Sequence, residues 1–263
     1  MEKITDHGKL IELDALRILA IQAAEEGCRE ILKVYDSGDF QTESKGDQSP
    51  LTLADRNAHE KIAAILAPSG LPILSEEGRS IPYEERRNWS YFWMVDPLDG
   101  TKEFIKRNGE FTVNIALIYK DRPVLGVVAV PVTQEIYYAS EGYGAFVRRD
   151  GKDYSLEHRP SADLGQPGLR VVASRSHLNA ETENFIKGLK DPSLVSAGSS
   201  LKFILVASGR ADVYPRYAPT MEWDTAAAHA IVRETGREVM QHGADQPLLY
   251  NKENLLNPWF LVR

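Results

Sequence analysis

Val95-Asp96-Pro97-Leu98-Asp99-Gly100-Thr101-Lys102-Glu103-Phe104 closes an apolar run, Tyr91–Val95, with a carboxylate-rich turn. Pro97 fixes φ and Gly100 tolerates φ > 0, so the stretch reads as a strand ending in a sharp bend that brings Asp96 and Asp99 to one side. The bend leaves the Leu98 carbonyl free as a further oxygen donor. A helical start led by Thr101 would aim backbone N–H groups at an anion. Taken alone, an Asp-Pro-x-Asp-Gly string is also an ordinary turn.

Outward from this turn the period is that of strands. Tyr91–Val95, Thr112–Tyr119, Val124–Val130 and Glu135–Ala139 are rich in β-branched or aromatic residues, and Asp121-Arg122-Pro123 marks one tight connection. Such runs predict an antiparallel meander. Upstream, Leu13, Leu16, Ala20, Ala24, Ile31 and Val34 form one apolar stripe, predicting a helix over about Leu10–Tyr35. Ser37–Asp47 reads as a loop. Thr52 then N-caps a second helix, with Ala58, Ile62 and Ile65 on one face and Pro68 and Gly70 at its end.

Downstream, Arg148–Pro167 is polar and holds Gly151, Pro160, Gly165 and Pro167, which makes it the best boundary. Beyond it strands (Leu169–Ala173, Ala211–Tyr214, Glu238–Met240) mix with helices (Ala180–Leu189, Ser200–Ser208 and Thr225–Thr235, closed by Gly236). The expectation is an α+β half over 1–165 with an antiparallel sheet and most of the acidic motifs. An α/β half over 166–263 carries Asp224, and the two form one folding unit.

The chain has 263 residues, 31 basic and 38 acidic, for a net charge of −7, with 43% hydrophobic and 26% charged residues. That composition excludes disordered and fibrous classes, and the acidic balance argues against a nucleic-acid polymer as partner. Cys28 is the lone cysteine, so neither a disulfide framework nor a cysteine-built metal site is expected, which suits a reducing compartment. No apolar run approaches the roughly 18 residues of a membrane span. The start, Met1–His7, lacks the apolar centre of a signal peptide. A cytoplasmic protein is expected, with peripheral attachment at the cytoplasmic face of the inner membrane as the alternative.

Two further carboxylate motifs flank the first, Leu74-Ser75-Glu76-Glu77 and Trp223-Asp224-Thr225. Each has a plain reading by itself. Glu76 and Glu77 form a solvated pair, Asp224 caps a helix, and Asp55, three residues after Thr52, completes a capping box. Three carboxylate motifs at element ends, one beside a phosphate-type turn, are hard to explain as independent caps. Carboxylates that converge repel one another and need protons or hard cations such as Mg²⁺.

These motifs, with Thr225-Ala226-Ala227 extending the third, resemble the signatures of the lithium-sensitive, magnesium-dependent phosphatases of the inositol monophosphatase superfamily. The likeness runs from about Leu10 to Arg263. Within that superfamily Asp96–Gly109, Glu110–Ala116, Ala173-Ser174-Arg175-Ser176-His177 and Gly198-Ser199-Ser200-Leu201-Lys202-Phe203 are most similar to the bacterial 3′(2′),5′-bisphosphate nucleotidases. Ala228 departs from the pattern, standing where the family usually has Gly. Its added methyl could alter substrate fit without removing a ligand.

The resemblance implies a layered αβαβα sandwich and a Mg²⁺-dependent hydrolysis of adenosine 3′,5′-bisphosphate to AMP and phosphate. It also implies inhibition by Li⁺ and a service to sulfate assimilation through recycling of that nucleotide. It assigns Glu76, Asp96 and the Leu98 carbonyl to one Mg²⁺, and Asp96, Asp99 and Asp224 to a second. A third, weaker ion would sit near Glu76, with Glu77 assisting indirectly. Asp55, Thr101 and Glu76 take the catalytic roles, Asp55 and Thr101 orienting and deprotonating the attacking water. Glu76, Leu98, Asp99, Gly100, Thr101 and Asp224 surround the substrate. Ser176, His177, Ser199, Lys202 and Arg216 are candidates for the second phosphate, though His177 could equally cap the helix beginning near Asn179 and Lys202 be a solvated helix residue. A monomer is favoured.

Three alternatives stay open on the sequence. An inositol monophosphatase or sugar bisphosphatase would keep this chemistry and change the substrate. A phospho-aspartate phosphatase expects two Asp separated by one residue, whereas two residues separate Asp96 from Asp99. A non-catalytic nucleotide sensor would need neither Thr101 nor Asp55.

Overall fold

A computed structural model describes residues 4–6, 9–40, 42–44, 50–173 and 178–263. In chain order, a short hairpin β1 (Ile4–Asp6) and β2 (Lys9–Ile11) precedes helix α1 (Leu13–Ser37). The pair β3 (Glu43–Ser44) and β4 (Pro50–Leu51) then leads into α2 (Leu53–Leu66) and β5 (Ile73–Ser75). After the single turn α3 (Tyr83–Arg86) come β6 (Tyr91–Asp99) and the short helix α4 (Thr101–Ile105). Next follow β7 (Thr112–Tyr119), β8 (Arg122–Val130), β9 (Glu135–Ser140), β10 (Gly144–Arg149) and β11 (Lys152–Ser155). Among the described residues, the strands from β5 onward make one seven-stranded sheet, β11-β10-β9-β8-β7-β6-β5, antiparallel except for the parallel β5–β6 pair.

The meander runs further than the sequence predicts, because β10 and β11 continue it through a turn at Asp150 (φ 49°) and Gly151 (φ 70°). The start of the polar stretch from Arg148, taken above as the boundary, is therefore an exposed edge hairpin. Both sheet faces are covered. Tyr91, Trp93, Val95, Val113, Ile115, Leu117, Leu125 and Val127 pack with α1 and α2 on one side. Phe92, Met94, Ala116, Ile118, Val128 and Val130 pack with later helices on the other. Side chains alternate along a strand, so burial on both faces explains why these strands read as unbroken apolar runs.

Beyond the sheet lie β12 (Arg170–Val172), α5 (Ala180–Lys187), β13 (Ser193–Val195), α6 (Leu201–Ala207), β14 (Tyr214–Arg216), α7 (Glu222–Glu234), β15 (Val239–Gln241) and β16 (Phe260–Val262). β12 and β13 pair in parallel, and β14-β16-β15 form a three-stranded antiparallel sheet. The outcome is the layered arrangement expected. Helices α1 and α2 cover one face of the large sheet, α6 and α7 sit between the sheets, and α5 contacts β14. The strand predicted at Ala211–Tyr214 instead begins at Tyr214, since its partner is the chain's last strand. Only Val213 pairs earlier, in a single bridge to Val171.

Helix α7 lies flush on the sheet at Gly126, where a Cβ would stand 2.0 Å from the Ala227 carbonyl oxygen. Only a residue without a side chain allows that approach. Ala228, the departure noted above, is fully buried in the same cluster, so its methyl fills core rather than lining a cleft.

Candidate active site

Three element ends bring carboxylates together. Strand β6 alternates until Asp96, whose place in register opposite Asn114 continues the Phe92–Met94 face that looks toward α7. The pairing then shifts between Asp96 and Asp99, a bulge that lets both carboxylates serve one region. Asp96 Oδ1 accepts from Leu98 N–H at 3.1 Å, closing the turn locally. Gly100 follows with φ 94°, a left-handed conformation, and a Cβ there would meet Ser199 Cβ at 3.2 Å and the Glu110 carbonyl at 3.3 Å. The predicted helix behind it is five residues long.

Parallel pairing of β5 with β6 places Ser75 beside Val95, and Glu76 N–H donates to Val95 O at 3.1 Å. Glu76 therefore leaves the sheet next to Asp96. Asp224 arrives from the first turn of α7. That helix starts at Glu222, not Thr225, so Asp224 is its third residue rather than its cap, and its Oδ2 accepts from Met221 N–H at 2.9 Å.

Electrostatics ties these groups into one site. Burial raises Asp96 well above the usual carboxylate range, and the charges of Glu76, Asp99 and Asp224 push it further. Asp99 is raised by burial against the opposing pull of Lys202, the Ser200 N–H and Ser199. Asp224 is raised to about 8 by burial and by Asp99, with Arg216 acting the other way. Among the described residues, however, no three His, Cys, Asp or Glu side chains close on one point as a finished metal cage. Asp99 Oδ2 instead accepts from Ser200 N–H at 2.7 Å and from Asn114 Nδ2 at 3.4 Å. The donor set fits a hard divalent cation nonetheless. It is all oxygen, Asp96 at its centre is buried, and Lys202 and Arg216 only partly offset the burial and mutual repulsion that raise the group.

A second arrangement adjoins the first. Thr101 Oγ1 lies 3.2 Å from Asp55 Oδ1 and 3.4 Å from the Leu98 carbonyl, so that carbonyl is not wholly free as expected. The other Asp55 oxygen accepts from Thr52 N–H at 2.8 Å and from Thr52 Oγ1 at 2.6 Å. The capping box and the Thr101 pairing are thus both made, one by each carboxylate oxygen. The hydroxyl that donates to Asp55 keeps lone pairs to accept a proton from water.

Lys202 Nζ donates to the Ser199 carbonyl at 3.2 Å, and Ser199 itself has φ 49°. Arg216 donates to the Pro219 carbonyl through one guanidinium nitrogen at 3.0 Å, while its buried Nε has no partner among the described residues. Both side chains line a cavity of about 100 Å³ with Asn179, Tyr214 and Tyr217. Asn179 caps α5 by accepting from Thr182 N–H at 3.0 Å, so that cap falls to Asn179 and not His177. Ser176 and His177 lie outside the described residues.

Sequence reasoning missed Asn114 and Thr112. The Asn114 side-chain oxygen Oδ1 accepts from Ser200 Oγ at 2.8 Å and Thr112 Oγ1 at 3.2 Å, and Thr112 Oγ1 lies 2.8 Å from Ser199 Oγ. The two residues join strand β7 to the loop that holds Asp99. The one signal in the sequence is a pair of polar residues inside a strand otherwise apolar on both faces.

The chain matches the family described as the inositol monophosphatase family over residues 12–258. It is 46% identical over 246 residues to the 3′(2′),5′-bisphosphate nucleotidase CysQ of Escherichia coli (strain K12), covering 92% of this chain and 96% of that relative. The CysQ of Haemophilus influenzae is 34% identical over 95% of the chain and 91% of its own length. Among solved structures, CysQ from Bacteroides thetaiotaomicron, a bacterial member of the inositol monophosphatase family, superposes with a TM-score of 0.82 at 52% identity, covering 94% of this chain and 96% of that one.

Proposed function

The chain belongs to the inositol monophosphatase family, and on that premise we propose that it is a 3′(2′),5′-bisphosphate nucleotidase releasing phosphate from adenosine 3′,5′-bisphosphate to leave AMP. The substrate class is carried by the nucleotidases to which it is similar over nearly their whole length. The chemistry is carried by one arrangement, the strand-end Glu76, Asp96 and Asp99 and the helix-start Asp224 brought together beside the hydrogen-bonded Thr101–Asp55 pair.

The family is metal-dependent, and Mg²⁺ in two or three positions is our reading here. Glu76, Asp96, the Leu98 carbonyl, Asp99 and Asp224 would hold it. Bound Mg²⁺ neutralises phosphate charge and lowers the pKa of water. The chain's own residues then orient the reaction. Asp55, fixed by Thr52, holds the Thr101 hydroxyl so that its oxygen accepts a proton from the attacking water while its own proton passes to Asp55. A pair of this kind contributes roughly 10²–10⁴-fold. Lys202 and Arg216 supply positive charge for the second phosphate, with Ser199 as a hydroxyl partner, and Ser176 and His177 are assigned to it by resemblance alone. Li⁺ inhibition follows from the family.

We further take residues 1–165 and 166–263 as halves of one folding unit with the site between them. Asp224 from the second half meets Asp96 and Asp99 from the first. A monomer suffices, since one chain supplies every residue named, and the lone Cys28 suits a reducing cytoplasm. Among the described residues no helix is long and apolar enough to cross a membrane. The test is a parallel measurement of phosphate release from adenosine 3′,5′-bisphosphate, inositol 1-phosphate and fructose 1,6-bisphosphate. Preference for the nucleotide supports the reading, and preference for either other substrate refutes it.

A further inference from the structure

Helix α2 carries two polar side chains one turn apart, Asp55 and His59, which fall on the same face at that spacing. Asp55 reaches Thr101, as described. His59 reaches a different part of the site, its Nδ1 lying 2.9 Å from Ser75 Oγ. Ser75 is buried and ends β5, in register with Val95, the residue before Asp96. Immediately after it the chain turns. Gly78 N–H donates to the Ser75 carbonyl at 3.1 Å, and Glu76 stands inside that turn. A Cβ on Gly78 would lie 3.2 Å from the Ser75 carbonyl oxygen and 3.6 Å from His59 Cε1, so the imidazole and the turn pack against each other. Ser75 is thus tied at two points, its side chain to α2 through His59 and its carbonyl to the turn through Gly78, so the residue from which the chain leaves toward Glu76 is anchored against the helix.

We propose that His59 is a positioning residue, acting through Ser75 to set the turn that presents Glu76 beside Asp96. One helix would then hold both the Thr101–Asp55 pair and the strand-end carboxylate in mutual register. Residues that orient a ligand from behind typically cost 10–100-fold in metal affinity or activity when removed. The inference rests on the metal-assisted reading of the site given above.

The test uses the full chain and two readouts, direct Mn²⁺ binding followed by electron paramagnetic resonance and the Mg²⁺ dependence of phosphate release. His59→Ala should weaken Mn²⁺ binding and raise the Mg²⁺ concentration for half-maximal activity about tenfold. The nucleotide KM at saturating Mg²⁺ should stay within about twofold, because His59 touches no residue assigned to the substrate's second phosphate. Ser75→Ala should give the same loss, and the double variant no more than either alone, since both remove one interaction. His59→Asn keeps a polar atom where Nδ1 stood and should restore binding to within about threefold of wild type. Alanine variants that bind Mn²⁺ like the wild type, or an Asn variant no better than Ala, overturn the inference alone. Wild-type protein that binds no Mn²⁺ overturns the functional reading along with it.

Discussion

The Thr101 hydroxyl lies 3.2 Å from Asp55 Oδ1, although 46 positions separate them in the chain. Asp55 meets it already anchored by Thr52 through its other oxygen. Thr101→Val should therefore lower kcat by about 10²-fold or more while leaving folding intact, because the hydroxyl's contacts among the described residues, Asp55 and the Leu98 carbonyl, both belong to the site. Asp55→Asn should lower kcat comparably and also cost about 1 kcal/mol of stability through the weakened cap. Steady-state kinetics beside denaturant titration separates the two. A Thr101→Val enzyme with wild-type kcat would remove this pair from the mechanism.

Raised carboxyl groups make the metal-free protein pH-sensitive in a defined direction. Asp224 has a folded pKa of about 8, above its ordinary value near 4, so between these limits the folded state binds more protons than the unfolded one. Stability is then greatest at the acid end and falls as pH rises through 8. In EDTA the melting temperature should drop from pH 5.5 to pH 8.5, and Mg²⁺ should reverse the drop. Asp224→Asn should flatten the slope. A slope that is unchanged in that variant would contradict the arrangement.

Gly126 sets how closely α7 approaches the sheet. Gly126→Ala places a methyl against the Ala227 carbonyl, where only 2.0 Å is free, so the helix must move outward. Overpacking of this kind costs about 1–3 kcal/mol. Asp224, one turn before Ala227, moves with the helix, so activity should fall more than the melting temperature implies. Full activity with lowered stability would show that the helix position is not critical.

Much of this was legible in the sequence, for local reasons. The Asp96–Thr101 turn could be read because Pro97 and Gly100 fix its shape through their own backbone preferences, and β6 to β9 because burial on both faces leaves long apolar runs. What escaped depends on distant partners. β14 starts later than its apolar residues suggest because it pairs with Phe260–Val262 at the end of the chain. α7 begins three residues early because Asp224 reaches back to the Met221 N–H. Asn114 and Thr112 share one face of β7, but their partners Ser199 and Ser200 lie more than 80 positions away. The contact between His59 and Ser75 was hidden likewise, for nothing local separates a helix histidine that reaches a neighbouring strand from one facing solvent.

Lys202 offers a test of substrate choice. Its ammonium supports the left-handed Ser199 through that residue's carbonyl and adds positive charge near Asp99. Lys202→Ala should raise KM for adenosine 3′,5′-bisphosphate roughly tenfold, the loss of one charge-assisted contact. KM for inositol 1-phosphate, which has no second phosphate, should change far less. Equal increases would mean that Lys202 acts on the site at large.

The central claim is that Glu76, Asp96, Asp99 and Asp224 act together through bound Mg²⁺, and phosphate release from adenosine 3′,5′-bisphosphate measures it directly. Wild-type protein should lose activity in EDTA and regain it on addition of Mg²⁺, while Asp99→Asn, still folded by its circular dichroism, should stay inactive throughout. Undiminished release in EDTA, or full turnover by Asp99→Asn, would contradict the account.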